Sequence, residues 1–395
     1  MTPRRPATAT TRAAARTAWR TGDIDAAARL ATAAGDEHLA LLTDLVRGRL
    51  AKALNRYSRL RRRPRALDLP IADAWLHLDQ PGQAWEHLRR RRRRVPPHVA
   101  LRHERPMTVK AAGPVELPFA DQPLAPYLPA VQATLNGRRT LLHLDTGGTF
   151  LVMGPARAAA AGVESIANGR RFHGITAAPA RAGLADELNL GGTVLTNVPV
   201  DILPTLTGPQ DLVIMGTCLL RRFLPTIDTP ESRLLLAPRG SVVPAGGTRM
   251  PFHLWGDHFM FAAGGYGERD LTFFVDSGLV HLLQDGDTLR QAAVLATRSQ
   301  YRSWGLTPGE LSGTHHNATR PLRLGPLEQD GHLLAIAPGR RAPWSELGGV
   351  KVNGLLSQAF LSRYAWTLDF DRHEYTFTSG LSHGPLEKPE HRDGS

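Results

Sequence analysis

Hydrophobic and polar positions change their rhythm at about residue 107. Before it, apolar residues recur at helical spacing: Leu39, Leu42, Leu45 and Val46, then Leu50, Ala53 and Leu54. Ala, Leu and Arg dominate this stretch, and all three favour helix. Beyond it, Gly and Pro become frequent and the apolar runs shorten to strand length. Leu141-Leu142-His143-Leu144, Val198-Pro199-Val200-Asp201-Ile202-Leu203, Leu212-Val213-Ile214-Met215 and Phe273-Phe274-Val275 are examples. Asn136-Gly137, after Val131-Gln132-Ala133-Thr134-Leu135, predicts a hairpin turn. The pattern predicts a helical region and linker over residues 1–106, then a mainly β region in two parts, 107–245 and 246–380. A disordered tail is expected over 381–395.

The helical stretch repeats a turn-like segment. Gly22-Asp23-Ile24-Asp25-Ala26-Ala27 is similar to Gly48-Arg49-Leu50-Ala51-Lys52-Ala53, and Asp79-Gln80-Pro81-Gly82-Gln83-Ala84 is a looser copy. These resemble degenerate tetratricopeptide hairpins, although their spacing is shorter than the usual period of about 34 residues. An irregular helical extension is the alternative.

Charge sharpens the division. The net charge is +12, yet residues 1–106 alone carry +13 and residues 107–395 carry −1. Arg61-Arg62-Arg63 and Arg89 through Arg94 are the basic runs. Six successive arginines sample every face of a helix, so they form no single stripe. They are read as a solvated helix end before a linker, since Val95-Pro96-Pro97 stops a helix there. Contact with nucleic acid or an anionic surface is the competing reading, and no aromatic residues interleave the arginines to stack on bases. A protein partner on the helices is a further expectation.

The β region contains an internal repeat that carries chemistry. Leu144-Asp145-Thr146-Gly147 and Val275-Asp276-Ser277-Gly278 lie 131 residues apart, each an apolar strand running into an acid, a hydroxyl residue and glycine. A second element follows each. Val213-Ile214-Met215-Gly216-Thr217-Cys218-Leu219-Leu220 aligns with Gly354-Leu355-Leu356-Ser357-Gln358-Ala359-Phe360-Leu361. Each then gives an acid five residues after an aromatic: Asp228 after Phe223, and Asp369 after Tyr364. The acid-to-second-element spacings are 71 and 81 residues.

Over residues 115–380 this order resembles the aspartic proteases. Each lobe is close to the retropepsin pattern, and two lobes in one chain resemble the bilobal pepsin arrangement. The resemblance implies an endopeptidase with Asp145 and Asp276 as its catalytic pair, supported by Thr146, Gly147, Ser277 and Gly278. Two carboxylates held a few ångströms apart cannot both ionise cheaply, so the pair shares a proton. One member would then activate water while the other protonates the peptide carbonyl. Both acids lie in one chain, so no obligatory dimer is expected. The alternative is a non-catalytic peptide-binding protein on the same fold. Two departures from the family pattern motivate it: Leu279, expected to narrow the cleft, and Ser357 where glycine is usual. Segment 169–184 has flap-like composition but offers only Phe172 and His173 as aromatic rings.

Other chemistry is weakly represented. The single cysteine, Cys218, excludes an intramolecular disulfide framework and reads as a buried, inert thiol. His315-His316 are adjacent and no His-Glu-x-x-His pattern occurs, so no metal is expected. His143 is read as a partly buried histidine. Nucleotide-binding glycine motifs are absent, and no cofactor is expected. No run of about 18 apolar residues occurs and the N-terminal residues lack an apolar core, so a cytoplasmic protein without a transmembrane helix is expected.

Overall fold

The computed structural model describes residues 8–111, 113–173, 176–208, 211–243, 246–285, 288–339 and 342–379. The expected tail, 381–395, lies outside them. Seven helices come first: α1 (Thr8–Thr21), α2 (Ile24–Ala34), α3 (Glu37–Val46), α4 (Leu50–Arg59), α5 (Asp68–His77), α6 (Pro81–Arg90) and α7 (Pro97–Glu104). The three similar turn segments open α2, α4 and α6, the second helix of each successive pair. Asp23 and Asp36 cap α2 and α3, accepting from the backbone N–H of Ala26 at 3.0 Å and of Leu39 at 3.1 Å. From Leu39 to Val46 every residue of α3 is buried, because α2, α4 and the strand His253–Trp255 all pack on it.

The arginine run is not the wholly solvated helix end expected. Arg91 and Arg93 approach the fully buried Asp68 at 2.8 and 3.7 Å, and Arg89 lies 4.6 Å over the Trp85 ring. A buried carboxylate needs such partners, so part of the local charge answers an internal demand.

The β region has two lobes. The first sheet contains Arg138–Asp145 flanked by Ala130–Leu135 and Val213–Gly216, and pairing between Thr176–Leu190 and Thr193–Ile202 folds it back on itself. The hairpin turn at Asn136-Gly137 forms as expected, both residues having positive φ (48° and 76°). The second sheet repeats the arrangement, with Arg269–Val275 between Phe259–Tyr266 and Gly354–Leu356. A third, six-stranded sheet joins the lobes and takes three strands from each part of the β region. At its centre Phe223–Asp228 pairs with Tyr364–Asp369, and the hydroxyls of Thr226 and Thr367 meet at 2.7 Å. Asp228 and Asp369 end these two central strands and bind Arg233 and Arg372 at 3.0 and 2.9 Å, a structural use of the repeated acid.

The helices share their core with the second lobe. Ala15, Trp19, Leu41 and Val46 belong to one buried cluster with Phe261, Phe274, Trp344 and Leu355. Trp19 Nε1 donates to Gly348 O at 3.1 Å across this seam. Toward the first lobe the contact is polar. Arg221, itself buried, donates to His77 O at the end of α5 at 2.6 Å, satisfying a helix C-terminal carbonyl. Burial lowers the Arg221 guanidinium to about 9.

Candidate active site

Asp145 ends the strand Arg138–Asp145, and Asp276 directly follows the strand Arg269–Val275. Each strand runs parallel to the second element of its own lobe, Asp145 opposite Gly216 and Val275 opposite Leu356. The joining sheet brings the two strand ends face to face, and the Asp276 carboxyl hydrogen-bonds that of Asp145. Both residues are 8% exposed. Each accepts from the N–H of its own glycine, Gly147 at 2.7 Å and Gly278 at 3.1 Å. Those glycines are sterically required. A Cβ on Gly147 would lie 2.7 Å from Asp276 Oδ2, and one on Gly278 would lie 2.5 Å from Asp145 Oδ2.

Thr146 and Ser277 tie the loops together reciprocally. Thr146 Oγ1 donates to Val275 O at 3.1 Å and accepts from Ser277 N at 3.0 Å. Ser277 Oγ donates to Leu144 O at 3.2 Å and accepts from Thr146 N at 3.0 Å. Each hydroxyl thus bonds only to main chain of the opposite lobe. All six residues expected at the site are therefore brought together.

Burial is the largest influence on Asp276, followed by the charge of Asp145 and the hydrogen bond between the two. Together they hold the Asp276 carboxyl well above the usual range, against the opposing N–H groups of Gly278 and Leu279. The pair is thus disposed to keep one proton between its two carboxyls.

The two departures from the family pattern have local explanations. Gly216 and Ser357 share one backbone conformation (φ −95°, ψ 178° and φ −96°, ψ 177°). A Cβ on Gly216 would lie 2.5 Å from Gly148 O, which leaves no room for a side chain. Ser357 instead donates to Ala292 O at 2.6 Å and accepts from Ala359 N at 3.1 Å, capping the following short helix. Leu279, expected to narrow the cleft, is half-buried, and part of its side chain packs against the cluster shared with the N-terminal helices. His143 is buried, with Nδ1 3.2 Å from Val213 O, and burial lowers its pKa. Cys218 is buried with its Sγ 3.2 Å from Asp257 O.

Strands Glu164–His173 and Thr176–Leu190 form a long hairpin in the flap-like segment. Its Gly174 and the side chains of Phe172 and His173 lie outside the described residues. Pro97 of α7 approaches the position of Gly169 from outside, 3.5 Å from where its Cβ would be. A hairpin beside Asp276 was missed in the sequence, although the longer spacing of the second repeat, 81 residues against 71, signalled an insertion.

Among known proteins, residues 131–219 match the family model described as aspartyl protease. No curated protein matches the chain. A retropepsin-like aspartic protease from Rickettsia conorii is 17% identical, with 33% of this chain and 92% of that one covered at a TM-score of 0.24. An aspartic proteinase from Irpex lacteus is 11% identical, with 67% of this chain and 97% of that one covered at a TM-score of 0.41. The chain is similar to aspartyl proteases over residues 131–219, and it folds as two similar β lobes joined by a shared six-stranded sheet and preceded by α-helices.

Proposed function

We propose that the protein is an aspartic endopeptidase of the cytoplasm, working as a single chain, with Asp145 and Asp276 as its catalytic pair. The observation that carries this reading is the pair of buried carboxyls, one per lobe, each lying against the glycine of the opposite loop. Asp145 takes a proton from water, and the resulting hydroxide attacks the peptide carbonyl carbon. Asp276 gives its proton to the carbonyl oxygen. Collapse of the tetrahedral species then breaks the C–N bond, with a proton passing to the departing amine. Thr146, Gly147, Ser277 and Gly278 hold the two carboxyls in register. No metal or cofactor enters this scheme.

Residues 1–106, 107–245 and 246–380 act in this proposal as a tetratricopeptide-like helical region and two protease lobes. The helical region braces the second lobe and offers its outer face to a protein partner. Nucleic-acid binding is the weaker reading, because Arg91 and Arg93 are directed to Asp68. The non-catalytic alternative keeps Leu279 and Ser357 as its motivation, with the Ser357 hydroxyl taken up by Ala292 O and Ala359 N.

Hydrolysis of a peptide library by the full chain, compared with Asp145→Asn, tests the proposal. Loss of cleavage by about a thousandfold or more is expected if the water-activating group is removed. Cleavage unchanged by Asp145→Asn would refute it.

A further inference from the structure

The lobes can be superposed position by position in their ladders, and this isolates one difference. In the first lobe Leu151 pairs with Met215, the residue before Gly216; in the second, Val294 pairs with Leu356, the residue before Ser357. Three residues later each strand reaches a helix N-cap, Gly154 or Thr297. Leu151 and Val294 are therefore equivalent. Leu151 follows Asp145 by 6 residues and Val294 follows Asp276 by 18, so the second lobe carries 12 extra residues immediately beyond its acid.

Those residues form a hairpin, Leu282–Asp285 paired with Thr288–Gln291. One face is fixed to its own lobe. Leu283 packs against the cluster shared with the helices, and its cross-strand partner Arg290 donates to Asn317 Oδ1 at 3.0 Å and Gly331 O at 3.2 Å. Strand alternation puts Leu282, Gln284, Leu289 and Gln291 on the other face. That face is tied to the first lobe. Gln291 Nε2 donates to Tyr127 O at 3.1 Å and to Leu279 O at 2.8 Å, and Tyr127 Oη donates to Leu289 O at 2.9 Å. Tyr127 lies two residues before Pro129, whose carbonyl accepts from Leu144 N beside Asp145.

The hairpin is therefore anchored at Leu279, three residues past Asp276, and at Tyr127 of the first lobe. Leu289, whose carbonyl accepts from Tyr127 of the first lobe, is 42% exposed. A large apolar side chain left open on a hairpin whose backbone is anchored suits an apolar ligand group. We propose that the strand pair Leu282–Asp285 and Thr288–Gln291 is a substrate-selecting wall of the cleft, with Leu282 and Leu289 receiving an aliphatic or aromatic side chain of the peptide residue beside Gly278. The proposal rests on the endopeptidase reading for its substrate class.

The test uses full-length Asp145→Asn protein, which binds peptide without turnover, on a peptide array. It is compared with the same protein carrying Leu289→Lys or Leu289→Ala. Asp145→Asn is expected to select an apolar residue at one fixed position. Leu289→Lys is expected to weaken those peptides by about tenfold relative to the others, and Leu289→Ala by less. The same ranking in all three proteins, or no apolar selection at any position, overturns the proposal. Leu289 is exposed enough for both variants to fold, and near-UV circular dichroism verifies this. Hydrolysis by the wild-type chain is scored separately, so a failed dyad and a failed wall give different results.

Discussion

Replacing Ser277 by alanine probes the tie between the lobes directly. Ser277 Oγ makes two bonds, accepting from Thr146 N at 3.0 Å and donating to Leu144 O at 3.2 Å, and the site is buried. Alanine fits the space but leaves the Thr146 N–H and the Leu144 carbonyl without the Ser277 hydroxyl. An unsatisfied buried group costs about 1–3 kcal/mol, so the pair costs about 2–6 kcal/mol. That is a large fraction of a typical folding free energy of about 5–15 kcal/mol. The loss falls on inter-lobe bonds, so the distance between Asp145 and Asp276 loosens with it. Urea unfolding followed by tryptophan fluorescence reads the stability, and peptide hydrolysis reads kcat against KM. A fall in kcat larger than any rise in KM is expected, and Ser277→Thr, which keeps the hydroxyl, is expected to recover most of both. A midpoint within error of wild type and an unchanged kcat would refute the argument that these hydroxyls hold the pair.

Three further outcomes follow from the geometry. Gly216→Ser is expected to destabilise the chain by about 1–3 kcal/mol or more through overpacking against Gly148, while Ser357→Gly loses about 1–2 kcal/mol from one buried hydrogen bond and added chain freedom; equal effects in thermal unfolding would contradict this asymmetry. Activity should persist at acid pH and fall as pH rises through the elevated pKa of Asp276, because its proton is then lost; the same sign holds for its contribution to stability, which is full below the ordinary aspartate range and lost as pH rises through the folded value. A pH–rate profile lacking that alkaline limb would count against Asp276 as proton donor. His253 and His373, at the seam with the helices, are depressed by burial to about 3 and about 4, so their contribution is full above the ordinary histidine range near 6.5 and is lost as pH falls toward those values. Urea midpoints that stay flat from pH 7 to pH 4 would be the contrary finding.

The features that could be recognised in the sequence are the ones encoded by neighbours. Asp145-Thr146-Gly147 and Asp276-Ser277-Gly278 each contain the groups that must lie together, so a short motif suffices. The turn at Asn136-Gly137 and the starts of α2, α4 and α6 are local in the same way. The burial of α3 on all sides was not legible, because one of its partners, His253–Trp255, lies more than 200 residues away. The role of Arg91 likewise depends on Asp68, 23 residues earlier, which reads as an ordinary surface acid until α5 and α6 pack. The hairpin beside Asp276 left a trace only as a 10-residue excess in spacing, which alone does not say where the insertion falls.

The seam between Trp19 and Gly348 has a consequence for biosynthesis. The two residues are 329 positions apart, and the helical side of their shared cluster leaves the ribosome first. At about 5–20 residues per second, the apolar flank of the helices waits roughly 15–65 s for the strands that will cover it. During that interval it is an adhesive surface on a nascent chain. Production of residues 1–106 alone, or of 107–395 alone, would prolong the exposure indefinitely, and each fragment is expected to aggregate where the full chain does not. Co-expression of the two fragments, followed by co-purification as a soluble complex, would measure how much of the seam forms without the covalent link.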